Sequence, residues 1–360
     1  MTKKTSSFTM HLKSFEYKDT YSWELDTIHF NQLNLIVGKN AVGKSKTLNA
    51  LVEVAKFIKG EGSIDVASHR CRIVFADANG KEIEYSYDWF KGEIVVETMI
   101  VGNEVIISRG KEQALLNGEP INPPTNKLII QTQRDTNRFP EFEAVISWAE
   151  HTRGFSFSDL TSYHSYSIPS MFSDKMKFEE LYEKIDQAKE DFIVQTMRNL
   201  GYKIKEVVKL DLTQYKIIYL NEEDVETPLL PHALSNGMVR VFYMLTYLAY
   251  IATVEGAKTF LVDDLGEGLD FSRSSKLSKV IFEYCQSNDI QLIVTSNDNF
   301  MMNAVDLNNW IILQRTGNKV VSFSQTTHPE MFIKFRKMGL SNFDMLSTDY
   351  VDRFISEAKQ

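Results

Sequence analysis

One stretch constrains this chain more than any other. Gly38-Lys39-Asn40-Ala41-Val42-Gly43-Lys44-Ser45 fits G-x-x-x-x-G-K-[ST], the P-loop pattern. The apolar run at residues 33–37 leads into it and reads as a buried strand. Residues 47–59 behind it read as a helix, with Gly60 as the stop. Gly38 and Gly43 permit backbone conformations that a Cβ resists, so the loop can turn its N–H groups inward around phosphate oxygens. The helix N-terminus adds partial positive charge at the same place. Residues Lys39 through Lys46 thus form the expected binding loop. Lys44 is expected to reach the β- and γ-phosphates, and the Ser45 hydroxyl to ligate Mg²⁺.

The chain has 360 residues, enough for one large α/β domain or two smaller ones. Cys71 and Cys285 lie far apart and suggest neither a disulfide framework nor a zinc site, which fits a reducing cytoplasm. Lys3 and Lys4 are followed by no apolar core, so no secretory signal is expected. The longest apolar run, residues 241–254, is too short to span a bilayer and reads as a buried helix. A formal net charge of −8 gives no sign of the basic face common in nucleic-acid binders. No heptad run, low-complexity tract or internal repeat occurs.

Residues 8–13, 15–17, 22–25 and 28–30 read as strands, with Phe15, Tyr17, Tyr21 and Trp23 as core rather than as a platform for a base. Residues 70–130 read mostly as β. Asn79-Gly80 and Gly102-Asn103 mark two hairpins, Asn122-Pro123-Pro124 breaks the pattern, and residues 127–130 are expected to return to the sheet. Residues 142–152 and 178–200 read as helices, with a loop at 155–169 between them. Strands at 207–212 and 215–220 follow, and the acidic turn at 221–224 reads as an exposed hairpin tip rather than a metal site.

Chemistry returns at Leu234-Ser235-Asn236-Gly237-Met238-Val239-Arg240, which opens a long apolar helix with Ser235 as its N-cap. Thr259-Phe260-Leu261-Val262-Asp263-Asp264 then reads as a strand delivering carboxylates to its C-terminal edge, beside the P-loop. Asp263 is expected to hold Mg²⁺ through water, and Asp264 to polarise the attacking water as general base, with Glu267 the weaker candidate. Gly266 and Gly268 tighten the next loop and Asp270 closes it. A helix at 276–285 and a strand at 290–295 follow. They bring Ser296-Asn297-Asp298-Asn299 to the edge where a γ-phosphate sensor belongs.

In this order (P-loop, L-S-x-G-M-x-R, D-D-x-x-x-G-L-D, then T-S-N-D) the chain resembles the ABC-type ATPases of the RecF, SMC and OLD-like group of AAA-family ATP-binding proteins. The resemblance spans nearly the whole chain. It implies an α/β P-loop NTPase fold of ABC-ATPase type, with a central largely parallel sheet, an antiparallel β subdomain and a helical signature lobe. The expected division is a core lobe at about 1–60 and 255–325, a β insert at 70–130, a signature lobe at 139–254 and a C-terminal extension at 326–360. Carried over, Ser235 and Gly237 are the signature, Asp263 the Walker B carboxylate and Asp270 the D-loop. Gln131 is the candidate Q-loop ligand to Mg²⁺, with Gln133 nearly as good. Two positions depart from the family pattern. Asp264 stands where a glutamate is usual, and Asn297 where a histidine is usual. Both leave ATP binding intact and put fast hydrolysis in doubt.

About 190 residues separate Lys44 from Ser235, too few for SMC-type coiled-coil arms, so a head with a short lobe is expected. No acidic cluster of the OLD nuclease type follows residue 310. The resemblance further implies a cytoplasmic homodimer that sandwiches ATP·Mg²⁺ and switches an effector protein or nucleic acid, in DNA repair or anti-phage defence, without a membrane. A slow, ATP-gated scaffold and a transporter ATPase subunit are the competing readings.

Overall fold

The computed structural model describes residues 10–20, 23–61, 68–77, 79–157, 178–211, 216–227, 229 and 234–358. The strand start expected at residues 8–9, Tyr21, and most of the expected 155–169 loop lie outside them.

The chain opens with β1 (Met10–Asp19), β2 (Glu24–His29), β3 (Leu33–Val37) and α1 (Lys44–Lys59). A meander follows: β4 (His69–Asp77), β5 (Glu82–Phe90), β6 (Glu93–Val101), β7 (Glu104–Arg109), β8 (Ala114–Leu116) and β9 (Glu119–Ile121). Next come α2 (Ile129–Thr132), α3 (Pro140–His151), β10 (Thr152–Ser156), α4 (Phe178–Glu183), α5 (Gln187–Asn199), β11 (Ile204–Asp211), β12 (Lys216–Glu222) and α6 (Asn236–Ile251). The chain then runs through β13 (Lys258–Asp263), α7 (Phe271–Ser287), β14 (Ile290–Thr295), α8 (Asn299–Ala304), β15 (Trp310–Thr316) and β16 (Lys319–Ser324). It ends in α9 (Pro329–Arg336), α10 (Asp344–Ser347) and α11 (Tyr350–Ala358).

One continuous sheet of 14 strands organises the fold, in the order β10-β13-β14-β3-β15-β16-β2-β1-β4-β5-β6-β7-β8-β9. The first five strands run parallel. From β1 to β9 the pairing is antiparallel, so the β insert extends the central sheet rather than standing apart from it. The parallel strands are buried on both faces, which is why they read as near-continuous apolar runs. Side-chain alternation assigns their residues to two cores. Leu35, Val37, Phe260, Val262, Leu292, Val294, Trp310 and Ile312 join the core of α5, α6 and α7. Ile36, Leu261, Ile293, Ile311 and Leu313 join that of α1, α3 and the meander.

Three expectations are corrected. Residues 127–130 do not return to the sheet. The N–H groups of Ile129 and Ile130 bond the Glu97 carboxylate instead, and the chain turns into α2. The helix expected over 178–200 is two helices, because Asp186 leaves the helical conformation and caps α5 through the Lys189 N–H at 3.0 Å. The start of the expected 155–169 loop belongs to a strand, β10, which pairs with β13 from Thr152↔Thr259 to Ser156↔Asp263.

Candidate functional site: a P-loop facing paired carboxylates

The P-loop connects β3 to α1. At Gly38 a Cβ would lie 2.7 Å from the Leu313 carbonyl oxygen and 2.9 Å from Val42 Cγ2, so β15 closes the loop from beneath and only glycine fits. Gly43 has φ 110°, a left-handed value that favours glycine, and leads into α1 with no side chain capping its first turn. The first N–H groups of α1 are therefore left for another acceptor. Lys44 is buried, and its Nζ donates to the carbonyl oxygens of Gly38 (2.9 Å) and Lys39 (3.3 Å). Burial lowers its pKa, while the charges of Asp264 and Asp263 act in the opposite direction.

The other loop residues divide by role. Ser45 is half-buried, Asn40 and Ala41 are exposed, and Val42 packs inward. Lys46 leaves the loop, pairing with Asp19 at 2.7 Å and lying 4.6 Å over the Trp23 ring. Lys39 turns to the C-terminal helices, with Asp349 at 2.7 Å and Asp352 at 2.9 Å.

Opposite the P-loop, β13 ends at Asp263, which is buried. The hydroxyl of Thr295, at the end of neighbouring β14, donates to Asp263 Oδ1 at 2.5 Å. Asp264 follows with φ 52°, a left-handed conformation uncommon outside glycine, and its N–H donates to the same Thr295 hydroxyl at 2.9 Å. Asn297 Nδ2 donates to Asp264 Oδ1 at 3.3 Å. Burial, then the charges of Asp263 and Glu267, push the Asp264 carboxyl up to about 6, with Lys44 acting against them. Glu267 itself is exposed. Sequence reasoning treated Thr295 only as the end of a strand. Its one signal was a polar residue closing the otherwise apolar run 292–295 beside two carboxylates.

Ser235 is exposed at the start of α6, where its hydroxyl accepts from the Met238 N–H at 3.3 Å. Gly237 lies beside the loop after β13; a Cβ there would be 3.2 Å from Leu269. Arg240 bonds the Glu267 carbonyl at 3.2 Å, tying α6 to that loop. Asp270 is exposed and caps α7, accepting from the Arg273 N–H at 3.0 Å and from its guanidinium at 2.8 Å. Ser235, Gly237 and Asp270 therefore sit near one exposed edge. Among the described residues, no hydrogen bond joins Ser235 or Asp270 to residues 38–45.

Gln131 is a correction. Its Nε2 donates to the carbonyl oxygens of Phe57 (2.8 Å) and Ile58 (3.0 Å), at the C-terminal end of α1. The 16 residues of α1, at about 1.5 Å each, place that end about 24 Å from the P-loop. Gln133, exposed two residues on, lies at the same distant end. The strand that reaches the Asp263 edge is β10, where Ser156 pairs with Asp263 and the Phe157 N–H donates to its carbonyl at 3.1 Å.

Residues 103–303 match a family model described as "AAA domain, putative AbiEii toxin, Type IV TA system". The chain belongs to this AAA-domain family. The match begins after the P-loop, so the first half of the nucleotide site rests on the chain's own geometry. No curated protein matches the chain. Among solved structures, this AAA-domain chain is similar to an SMC head bound to the C-terminal winged-helix domain of ScpA. Identity there is 15% and the TM-score 0.58, over 89% of this chain and 99% of that one. It is also similar to an SMC head with an extended coiled coil bound to the C-terminal domain of ScpA, derived from Pyrococcus furiosus. Here identity is 13% and the TM-score 0.54, over 91% of this chain and all of the other. At these identities the likeness shows the fold, that of an SMC head. No helix among the described residues is long and apolar enough to cross a membrane.

Proposed function

We propose that this chain is an ATPase that binds ATP·Mg²⁺ at residues 38–45 and uses binding and turnover to bring two copies together and switch a partner. One observation carries the reading. The buried Lys44 ammonium of the P-loop and the Asp264 carboxylate sit close enough for each to move the other's proton affinity, and the charge of Asp263 acts on Lys44 as well. That supports reading Lys44 as the cation that seeks phosphate and Asp264 as the base of one site. The residues fit the ligand. The N-terminus of α1 is uncapped, the Gly38 turn admits no Cβ, and Asp263 Oδ2 accepts no hydrogen bond among the described residues.

In this reading the N–H groups at the start of α1 and Lys44 bind the phosphates. Ser45 and Asp263 hold Mg²⁺, which would neutralise phosphate charge. Asp264 takes the proton of the attacking water, and its raised pKa brings it nearer the operating range of a base. Asn297 holds Asp264 in place and offers a neutral donor where the resembling family has a histidine. Ser235, Gly237 and Asp270 lie at the exposed edge of the head, available to a second copy. The ScpA domains bound to the similar SMC heads support an effector protein as the switched partner.

The test is Mg²⁺-dependent ATP turnover beside Lys44→Ala and Asp264→Asn. Asp264→Asn is expected to lower kcat by about 10²–10⁴ while keeping nucleotide affinity, and to dimerise with ATP at micromolar concentration. Lys44→Ala is expected to lose both binding and turnover. An Asp264→Asn protein that stays monomeric when saturated with ATP ends the dimer reading. A second reading, an ATP-gated scaffold with very slow turnover, is favoured by the neutral Asn297 and the short Asp264. Tight binding without turnover in the wild type selects it.

A further inference from the structure

Thr295 lies at the end of β14 with no exposed surface. β14 runs parallel to β13 in register, Val262 opposite Val294, which sets Thr295 level with Asp263. A hydroxyl has one proton to donate and lone pairs to accept. Here the proton goes to Asp263 Oδ1 at 2.5 Å, and a lone pair takes the Asp264 N–H at 2.9 Å. The backbone repeats the clamp one residue on, where the Leu265 N–H donates to the Thr295 carbonyl at 2.9 Å. A single side chain therefore holds both carboxylate residues.

We propose that Thr295 is the positioning residue of this acidic pair, fixing which oxygen of Asp263 is left for Mg²⁺ and holding Asp264 in the backbone conformation that aims its carboxylate. The inference rests on the ATPase reading and deepens it. With Oδ1 occupied by the Thr295 proton, Oδ2 is the oxygen without a hydrogen bond among the described residues. At Asp264 the left-handed conformation, φ 52°, is strained for a residue with a Cβ. The amide of Asp264 has found its acceptor in the Thr295 hydroxyl, and the bond offsets part of that strain. Removing the hydroxyl while keeping the shape leaves a buried N–H unpaired and frees the Asp263 carboxylate to rotate.

The experiment compares Thr295→Val, which keeps the branched shape, with Thr295→Ser, which keeps the hydroxyl. Two measurements are made: steady-state kinetics, giving kcat and KM for ATP, and the affinity for Mn²⁺ in the presence of a non-hydrolysable ATP analogue, by electron paramagnetic resonance. Thr295→Val is expected to lose about 10²-fold in kcat, the scale of a small misplacement of a catalytic group, with KM little changed. Its Mn²⁺ affinity is expected to fall about 10-fold, as when an outer partner of a metal ligand is lost. Thr295→Ser is expected to recover most of both. If Thr295→Val does not fold, Thr295→Ala, which adds no bulk, takes its place in the same comparison.

A folded Thr295→Val protein that matches wild type in both measurements overturns the proposal, as does a Thr295→Ser protein as impaired as Thr295→Val. A wild type that neither binds Mn²⁺ with nucleotide nor turns ATP over overturns the ATPase reading, and this inference with it. If the wild type binds Mn²⁺ but does not turn over, the Mn²⁺ affinities alone decide the role of Thr295.

Discussion

Glu97 in β6 is a carboxylate with no exposed surface and several donors. It accepts from the Ile129 N–H at 2.8 and 2.9 Å and from the Tyr85 hydroxyl at 3.0 Å, with the Arg109 guanidinium 3.7 Å away. Burial outweighs these donors and pushes its pKa from 4.5 up to about 7. The folded chain therefore binds this proton more tightly than the unfolded chain does. The stabilisation is complete below about pH 4.5 and is lost as pH rises through about 7. Wild type is expected to lose thermal stability relative to Glu97→Gln as pH is raised across that window. Parallel melting curves for the two proteins would contradict it. Glu97→Ala is expected to cost about 3–5 kcal/mol at low pH, and less as pH rises through about 7, because it leaves the N–H groups opening α2 without their acceptor.

At the scale of elements, α1 has two ends with opposite treatment. Its N-terminus is left uncapped at Gly43. Its C-terminus is closed twice, by Gly60 with φ 80° and by the Gln131 amide on the last carbonyls. Gln131→Ala is expected to lower stability by about 1–3 kcal/mol in chemical denaturation, through the stranded Ile58 carbonyl and Leu128 N–H, and to leave ATP turnover unchanged. A large loss of turnover without a loss of stability would restore Gln131 to the active site. The same element shows what the sequence carried. The P-loop, β13 and β14 were legible because buried parallel strands that end in glycine, acid or a hydroxyl residue leave a strong local pattern. Gln131 was misplaced because a glutamine after an apolar run looks alike whether that run is a strand or the start of a helix. What decides is Glu97, some 30 residues earlier in sequence, whose buried carboxylate draws the N–H groups of Ile129 and Ile130 out of the sheet. β10 was missed for a related reason. Thr152-Arg153-Gly154 has neither length nor alternation, and its pairing with β13 is what makes it a strand.

At the scale of the whole molecule, the edge of the parallel sheet gathers several features that one chain leaves unused. Ser235 and Asp270 are exposed there, and so are two large aromatic rings. Phe271 is 61% exposed and Phe300 41%, and they meet edge to face with centroids 4.6 Å apart. Phe271 directly follows Asp270, and Phe300 lies three residues after Asn297. Their backbones are tied, since the Ser274 hydroxyl of α7 bonds the Asp298 carboxylate that caps α8. Two rings held in one arrangement in water are ready to be buried with little ordering cost, and buried aromatics dominate the energetics of interfaces. If two heads close over ATP through this edge, the pair belongs to the contact. Phe271→Glu and Phe300→Glu, each in the Asp264→Asn background, are then expected to weaken ATP-dependent dimerisation by at least about 30-fold, a loss of about 2 kcal/mol. Nucleotide affinity of the monomer is expected to stay unchanged. Sedimentation velocity with and without ATP separates the outcomes. Dimers of undiminished affinity in both variants would place the contact on another face, and a loss of nucleotide binding by the monomer would mean that the rings support the site itself.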